Sequence, residues 1–192
     1  FLGPLGNQQT APHHMHLLKF QSLQNLALLS HKYTEKYLHK NIQHQIETGC
    51  QIEEASGLLA EDVDLSSNIP HIKIRNNTLR GLDKESLERS CALVGDALIA
   101  LQSYDLPDDR KSPLFPRYGE PSGATNVSAA LNKVIRQSLK IADRGLVAHS
   151  TRHTFADRCR AAGVDEVYQQ VLMGHRSRFS TSVADRYGTN YP

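Results

Sequence analysis

Residues 149–153 (HSTRH) group side chains suited to phosphate chemistry at the start of a predicted helix. His149 and Arg152 lie three positions apart, so the helical repeat places them on one face. Arginine donates paired hydrogen bonds to phosphate oxygens, and a nearby histidine adds another hydrogen bond or moves a proton. Ser150 or Thr151 is the expected N-cap, which would leave backbone N–H groups free to attract an anion. By itself, however, such a short pattern is more often ordinary polar helix surface.

Two residues further along the chain have side chains that suit the same site. His175 follows Gly174, where a helix is predicted to stop, so its loop can return toward Arg152. Tyr187 stands in the run DRYG; a tyrosine needs cationic neighbours to act as a nucleophile, because its free pKa is about 10. Each residue alone has a plainer explanation, as a surface histidine and as a half-buried aromatic side chain.

The elements that must position these residues follow from apolar periodicity and from turn signals. Alternating apolar residues predict strands at residues 69–74, 79–82 and 90–94. The predicted fold class is therefore mainly α with a small antiparallel β-meander (α+β). Helical spacing and stop signals predict helices at residues 17–48, 52–64, 95–101, 127–141, 150–162, 165–173 and 179–187.

Length and composition limit the domain organisation. The chain has 192 residues, which suits one domain, assigned to residues 15–192. Residues 1–14 show no periodicity and are expected to be a disordered tail or a remnant of expression. The odd number of cysteines without CxxC spacing indicates free thiols in a reducing compartment. No apolar run approaches the roughly 18 residues of a membrane span.

Taken in order, the C-terminal motifs resemble the signature of the tyrosine recombinase (phage integrase) family. The motifs are HSTRHTFA from residue 149, AGVD from residue 162, LMGH from residue 172 and RYG from residue 186. Upstream, TGCQIEEA from residue 48 resembles the family segment TGxRxxE. The β-hairpin of the family, usually similar to RxLKTKSSxRxVPL, is matched by Arg80, Leu82, Ser86, Arg89 and Leu93.

This resemblance implies a catalytic domain that breaks and rejoins DNA at specific sites. In the family, a tyrosine attacks the DNA phosphate and forms a 3′-phosphotyrosine intermediate, without a metal or another cofactor. Mapped onto this sequence, Tyr187 is the nucleophile and Arg152 the second arginine. His149 and His175 are the phosphate-binding and proton-handling histidines.

The resemblance also implies partners. Relatives act on double-stranded DNA as homo-oligomers, with a tetrameric synapse at a specific recombination site, and a cytoplasmic, nucleoid-associated location is expected. The formal net charge of +2 does not by itself indicate a nucleic-acid partner, so the basic residues must cluster in space. The residues expected to contact the DNA backbone are Lys73, Arg75, Arg117, Arg176 and Arg178.

Two positions depart from the family pattern. Gln51 stands where the first arginine is expected, and Asp83 stands where the hairpin lysine is expected. Lys84 and Arg80 are weak substitutes, because neighbouring strand residues face opposite sides unless the hairpin bulges. The interval from His175 to Tyr187 is slightly longer than usual in the family, which makes Tyr191 the fallback nucleophile.

Three alternatives remain open at this point. The two altered positions leave room for a degenerate recombinase-like protein that binds DNA and cleaves it poorly. His149, His153 and His175 are a weak candidate for a metal site, because no carboxylate or cysteine completes the set. A simple helix-turn-helix regulator over residues 164–187 accounts for the spacing there, but not for the upstream motifs.

Overall fold

Helices make up most of the regular structure in the computed structural model, which describes residues 45–83, 86–138 and 140–175. Residues 45–48 are helical, and a short 3-10 turn covers Ala60–Asp62. None of the described helices is long and apolar enough to cross a bilayer. The α-helices are α1 (Ile52–Ser56), α2 (Gly95–Gln102), α3 (Gly123–Lys133), α4 (Ser150–Ala161) and α5 (Glu166–Leu172).

Four of the predicted helices, near residues 52, 95, 150 and 165, are confirmed in position. The helix predicted over residues 127–141 corresponds to α3, which begins earlier than expected, at Gly123. A π-helical turn over Val134–Ser138 follows α3 directly. The first turn of α3 was missed because small and polar residues there give no apolar periodicity. Of the helix predicted over residues 17–48, residues 45–48 are helical and the rest lies outside the described residues, as does the helix predicted at residues 179–187.

The sheet contains three antiparallel strands in the order β1-β2-β3: β1 is Val63–Asp64, β2 is His71–Ile74 and β3 is Arg89–Ala92. In the central strand, Ile72 pairs with Val63 on one side and with Cys91 on the other. The predicted fold class, mainly α with a small antiparallel sheet, is therefore confirmed.

The strand predicted at Leu79–Leu82 is wrong. The backbone N–H groups of Leu79 and Arg80 donate to the side-chain oxygen of Asn77, at 2.9 and 3.1 Å. The N–H of Leu82 donates in the same way to Asn76, at 2.7 Å. Donors that are used by asparagine side chains cannot join a strand ladder, so this segment is a loop. The first strand of the sheet is instead β1, which the sequence suggested was the end of a helix.

One apolar core lies between the sheet and the helices. Ile72 and Ile74 face inward and are fully buried, whereas Lys73 between them is exposed, as the alternation of a strand requires. Leu131 and Ile135 contribute the buried face of α3 and its π-helical turn. Burial of each such side chain stabilises the fold by about 1.5–3 kcal/mol. This core includes residues of the sheet, α1 and α3, and α1 lies in contact with α3.

Candidate active site

Arg152 lies at the centre of the site and is buried, with 5% of its surface exposed. It projects from the first turn of α4. One terminal nitrogen, Nη1, donates to the carbonyl of Gly49, and the other, Nη2, donates to the carbonyl of Met173 at 2.7 Å. Arg152 thereby connects the segment before α1 with the loop after α5. These two bonds fix the plane of the guanidinium group.

Three consecutive carbonyl groups hold the loop that carries His175. Leu172 O accepts from Arg89 Nε at 3.0 Å, and Met173 O accepts from Arg152. Gly174 O accepts from the backbone N–H of Leu87 at 3.0 Å. An antiparallel bridge between Ser86 and His175 adds to this attachment. The loop is therefore tied to α4, to β3 and to the segment that leads into β3.

A buried ion pair lies beside Arg152. Arg89 donates to both carboxylate oxygens of Glu54, at 2.8 and 3.0 Å, and the two side chains are only 7% and 3% exposed. Burial alone would raise the pKa of Glu54, but the hydrogen bonds and charge of Arg89 outweigh it and leave this pKa below its usual value. Glu54 Oε2 also accepts the backbone N–H of Gln51 at 2.8 Å. The carboxylate is thus ionised and fully engaged.

Both predicted histidines, His149 and His175, are exposed, and the positive charge of Arg152 acts on both rings. Partial burial, then Arg152 and Arg89, lower the pKa of His175, with Glu54 opposing. Partial burial, then His153 and Arg152, lower the pKa of His149. The rings of His149 and His153 are in edge-to-face contact, with 5.0 Å between their centroids. Both histidines are therefore mainly neutral near pH 7, so each can accept a proton.

Gln51 lies at the edge of this cluster, immediately before α1. Its side-chain nitrogen donates to the hydroxyl of Ser86 at 3.4 Å. Asp83 is exposed, and its carbonyl accepts the N–H of Ser86 at 2.9 Å. The structure therefore places Gln51 at the edge of the site and Asp83 on the exposed loop that precedes Ser86.

The other predicted residues are distributed differently. Lys73 is exposed on β2. Arg75 forms ion pairs with Glu61 and Asp62, both at 2.7 Å, so its charge is largely engaged within the protein. Arg117 lies over the ring of Tyr118, 6.0 Å from its centroid. Five predicted residues lie outside the described residues: Lys84, Arg176, Arg178, Tyr187 and Tyr191.

Arg80 does not face the site as an exposed cation. Its Nη1 donates to the carbonyl of Arg75 at 2.7 Å, and its aliphatic part packs against Gly57. Its Nε and Nη2 are buried and have no hydrogen-bond partner among the described residues. Burial lowers the pKa of Arg80, although Glu54 and Asp62 oppose this. Arg80 therefore stays a weak substitute for the expected lysine.

The predicted cap of α4 is wrong. The Ser150 hydroxyl accepts the N–H of Val147 at 3.1 Å, before the helix begins, and the Thr151 hydroxyl donates to Ala148 O at 2.8 Å. The N–H groups of residues 150–152 donate to the carbonyls of residues 147–149, so a tight turn precedes the helix. These N–H groups are not free to bind an anion. Any anion at this end of α4 would depend on Arg152 and the histidines.

The cysteine and histidine side chains are the remaining candidates for chemistry at a site. Cys50, Cys91 and Cys159 are buried free thiols, as predicted, and burial raises the pKa of Cys50 to about 12. Within the part of the chain that the structure describes, no group of three or more histidine, cysteine or acidic side chains is arranged to hold a metal ion.

Sequence reasoning named Arg89 and Glu54 without giving them a role. Arg89 directly precedes a predicted strand, and Glu54 stands in a run of polar residues. The apolar periodicity therefore gave no sign that either side chain is buried. The available signal was their position in the two upstream motifs. Only the tertiary structure shows that they form an ion pair under the site.

The loop at Gly174 supports a first prediction. Gly174 has a φ of +73°, and a Cβ there would lie 2.1 Å from Arg89 Nη1. Replacement of Gly174 by alanine should lower the free energy of unfolding by about 2–4 kcal/mol, because backbone strain adds to the displacement of a buried arginine. Urea unfolding followed by circular dichroism measures this change.

Gly163→Ala is the matched control for this substitution. Gly163 has a nearly equal φ of +71° but nothing within 4 Å of the added Cβ. It should therefore show the backbone cost alone, about 1 kcal/mol. Equal losses in the two variants would mean that the contact with Arg89 is unimportant.

Known structures share this fold. The Tn1549 transposon integrase, solved in complex with circular intermediate DNA, matches 98% of this chain and 64% of its own, with a TM-score of 0.57 and 19% identity. The XerA recombinase matches 89% of this chain and 63% of its own, with a TM-score of 0.62 and 17% identity. The architecture is therefore that of a tyrosine recombinase catalytic domain.

Sequence comparison gives the family. The model of the phage integrase family matches residues 17–188, so the chain belongs to this family. The tyrosine recombinase XerD of Mycobacterium tuberculosis is 30% identical over 146 residues, which are 71% of this chain and 43% of the relative. The tyrosine recombinase XerC of Listeria welshimeri is 28% identical over 142 residues, 71% of this chain and 45% of the relative. The chain spans less than half the length of these curated relatives.

Proposed function

We propose that this domain breaks and rejoins DNA strands at specific sites through a covalent bond between Tyr187 and a DNA 3′-phosphate. The observation that carries the proposal is the buried charge of Arg152. Among the described residues, its hydrogen bonds go to two carbonyl oxygens, while the nearby carboxylate of Glu54 is taken by Arg89. The cluster of Arg152, Arg89 and Glu54 therefore contains two guanidinium charges and one carboxylate. The additional positive charge favours an anion such as a phosphate.

The site can support each part of this reaction. In the attack, the bond between the Tyr187 oxygen and phosphorus forms while the bond from phosphorus to the 5′-oxygen breaks. A neutral imidazole, of His149 or His175, takes up the phenol proton, and the imidazolium so formed returns a proton, directly or through water, to the leaving 5′-oxygen. Arg152 stabilises the additional negative charge of the transition state. The reverse attack by a 5′-hydroxyl reseals the strand.

The relatives support double-stranded DNA as the partner. The Tn1549 integrase was solved in complex with DNA, and the XerC and XerD relatives are named tyrosine recombinases. We extend this to a homo-oligomer on DNA with a tetrameric synapse, because strand exchange between two duplexes needs four cleavages. Of the residues predicted to contact the DNA backbone, Lys73 and Arg117 lie in the described part of the structure and remain candidates.

Trapping of the covalent intermediate tests the proposal. Duplexes that the protein binds are first selected from a random library and confirmed by mobility shift. The same duplexes are then prepared with single nicks, so that a short 5′-hydroxyl strand diffuses away after cleavage and the covalent complex accumulates. A labelled DNA band that survives denaturation and disappears after protease treatment supports the proposal. Bound DNA without any such band would favour the degenerate DNA-binding protein.

Gln51 supports a second prediction. Replacement of Gln51 by arginine should raise the rate of covalent complex formation about 10-fold, because a charged donor contributes roughly 1–2 kcal/mol more to an anionic transition state than a neutral one. Single-turnover formation of the covalent complex measures the effect.

Gln102→Arg is the control for Gln51→Arg. Gln102 is exposed at the end of α2, so this variant adds the same charge away from the site. An equal acceleration in both variants would show that the charge acts by general attraction of DNA. In that case, Gln51 would not mark the position of a missing phosphate contact.

A further inference from the structure

We infer that Arg89 is a positioning residue for this reaction, which holds Gln51 and His175 in place at the same time through Glu54 and Leu172. The inference rests on the proposed function, because it assigns a role within that reaction. Arg89 is not among the residues that the family resemblance marks for chemistry. Its contacts nevertheless connect the three segments that meet at the site.

Each contact of Arg89 reaches a different part of the site. Its two terminal nitrogens bind the carboxylate of Glu54 at 2.8 and 3.0 Å, and that carboxylate accepts the N–H of Gln51. Its Nε donates to Leu172 O at 3.0 Å, three residues before His175. Its Nη1 also donates to Leu87 O at 3.2 Å. One planar group thus sets the distances between α1, β3 and the end of α5.

The shape of the surroundings shows that this placement is specific. Gly174 leaves the space that the guanidinium occupies, since a Cβ there would lie 2.1 Å from Arg89 Nη1. Leu87 N–H donates to Gly174 O on the other side. The loop therefore lies against Arg89, and a side chain that is shorter or not planar cannot donate to Leu172 O and to both oxygens of Glu54 at once.

Electrostatics connects Arg89 to the chemistry as well as to the geometry. Among the described residues, the groups whose charges act on the His175 ring are Arg152 and Arg89, which lower its pKa, and Glu54, which raises it. Loss of Arg89 removes one positive charge and also leaves Glu54 without its ion pair. Both changes act in the same direction, so the pKa of His175 should rise and the pH at which it becomes neutral should move upward.

The test compares Arg89→Met, Arg89→Lys and the control Arg158→Met. Arg158, on α4, forms an ion pair with Glu47 at 2.9 Å and a hydrogen bond with Ile46 O at 3.4 Å, so its loss also removes an ion pair and a carbonyl contact, without a contact to Arg89 or Glu54. Two quantities are measured below the melting temperature of every variant: covalent complex formation on bound nicked DNA, and the pKa of His175 by NMR in the free protein.

We expect Arg89→Met to slow covalent complex formation on the order of 10²-fold while DNA affinity changes less than about 3-fold. In this variant, the pH below which the rate of covalent complex formation falls should move to a higher value, with a matching rise in the pKa of His175. Arg89→Lys should keep that pKa near the wild-type value and recover part of the rate, and Arg158→Met should change neither. Equal losses in Arg89→Met and Arg158→Met, or an unchanged His175 pKa, would overturn the inference.

The two readouts separate this inference from the proposed function. If the wild-type protein forms no covalent complex, the proposed function fails, but the NMR titration still reports whether Arg89 controls His175. If the wild-type protein does form the complex and Arg89→Met forms it equally well, only the role of Arg89 fails.

Discussion

Tyr187→Phe is expected to abolish the covalent protein–DNA complex while leaving DNA binding almost unchanged. Phenylalanine lacks the oxygen that forms the bond to phosphorus, so no rearrangement of the site restores the reaction. It keeps the aromatic ring, so the substitution removes a single oxygen atom. The loss should therefore exceed any that follows from a change in positioning. Denaturing gel electrophoresis of nicked DNA after incubation with each protein measures it.

Tyr191→Phe is the matched control, since it removes the same atom four residues later. We expect it to form the covalent complex at the wild-type rate. Loss of the complex in Tyr191→Phe, and not in Tyr187→Phe, would make Tyr191 the nucleophile. Both residues lie outside the described part of the structure, so this comparison decides between them directly.

Arg152→Lys is expected to reduce covalent complex formation by about 10²–10³-fold, although the positive charge is kept. A lysine ammonium group cannot reproduce the planar fork that contacts Gly49 O and Met173 O and still has N–H groups for a phosphate. The two carbonyls would also lose their donors, which should lower the free energy of unfolding by about 1–3 kcal/mol. Single-turnover rates, measured well below the melting temperature, separate the two effects.

Arg160→Lys serves as the control on the same helix. Arg160 is exposed and forms an ion pair with Asp157 on the surface of α4. Its replacement should change neither stability nor rate, because an exposed ion pair contributes about 0–1 kcal/mol. If Arg152→Lys were as active as Arg160→Lys, the charge at position 152 would be enough and its geometry would not matter.

The histidines illustrate how sequence and structure contribute differently to the site. The sequence placed His149 and His175 near Arg152 through motif order, and the structure does bring all three into one electrostatic neighbourhood. The lowering of their pKa values was not predictable from the sequence. It depends on partial burial and on neighbouring charges, which come from different segments of the chain.

The order of the elements was determined largely by the sequence. Apolar spacing is a local property, so it indicated most helices near the correct residues and the alternation of β2 around Lys73. The motifs likewise identified the family, because they depend on residue type and interval alone. For the same reason, Gln51 and Asp83 could be predicted from the sequence alone as departures from the family pattern.

Tertiary structure alone decided the rest. The asparagine side chains that convert Leu79–Leu82 into a loop act through hydrogen bonds that apolar patterns do not report. The same holds for Arg89, which donates to Leu172 O across 83 positions of the chain. Burial of its ion pair with Glu54 depends on β3, α1 and α5 meeting at one place. Such contacts depend on the packing of the whole domain, so no local pattern predicts them.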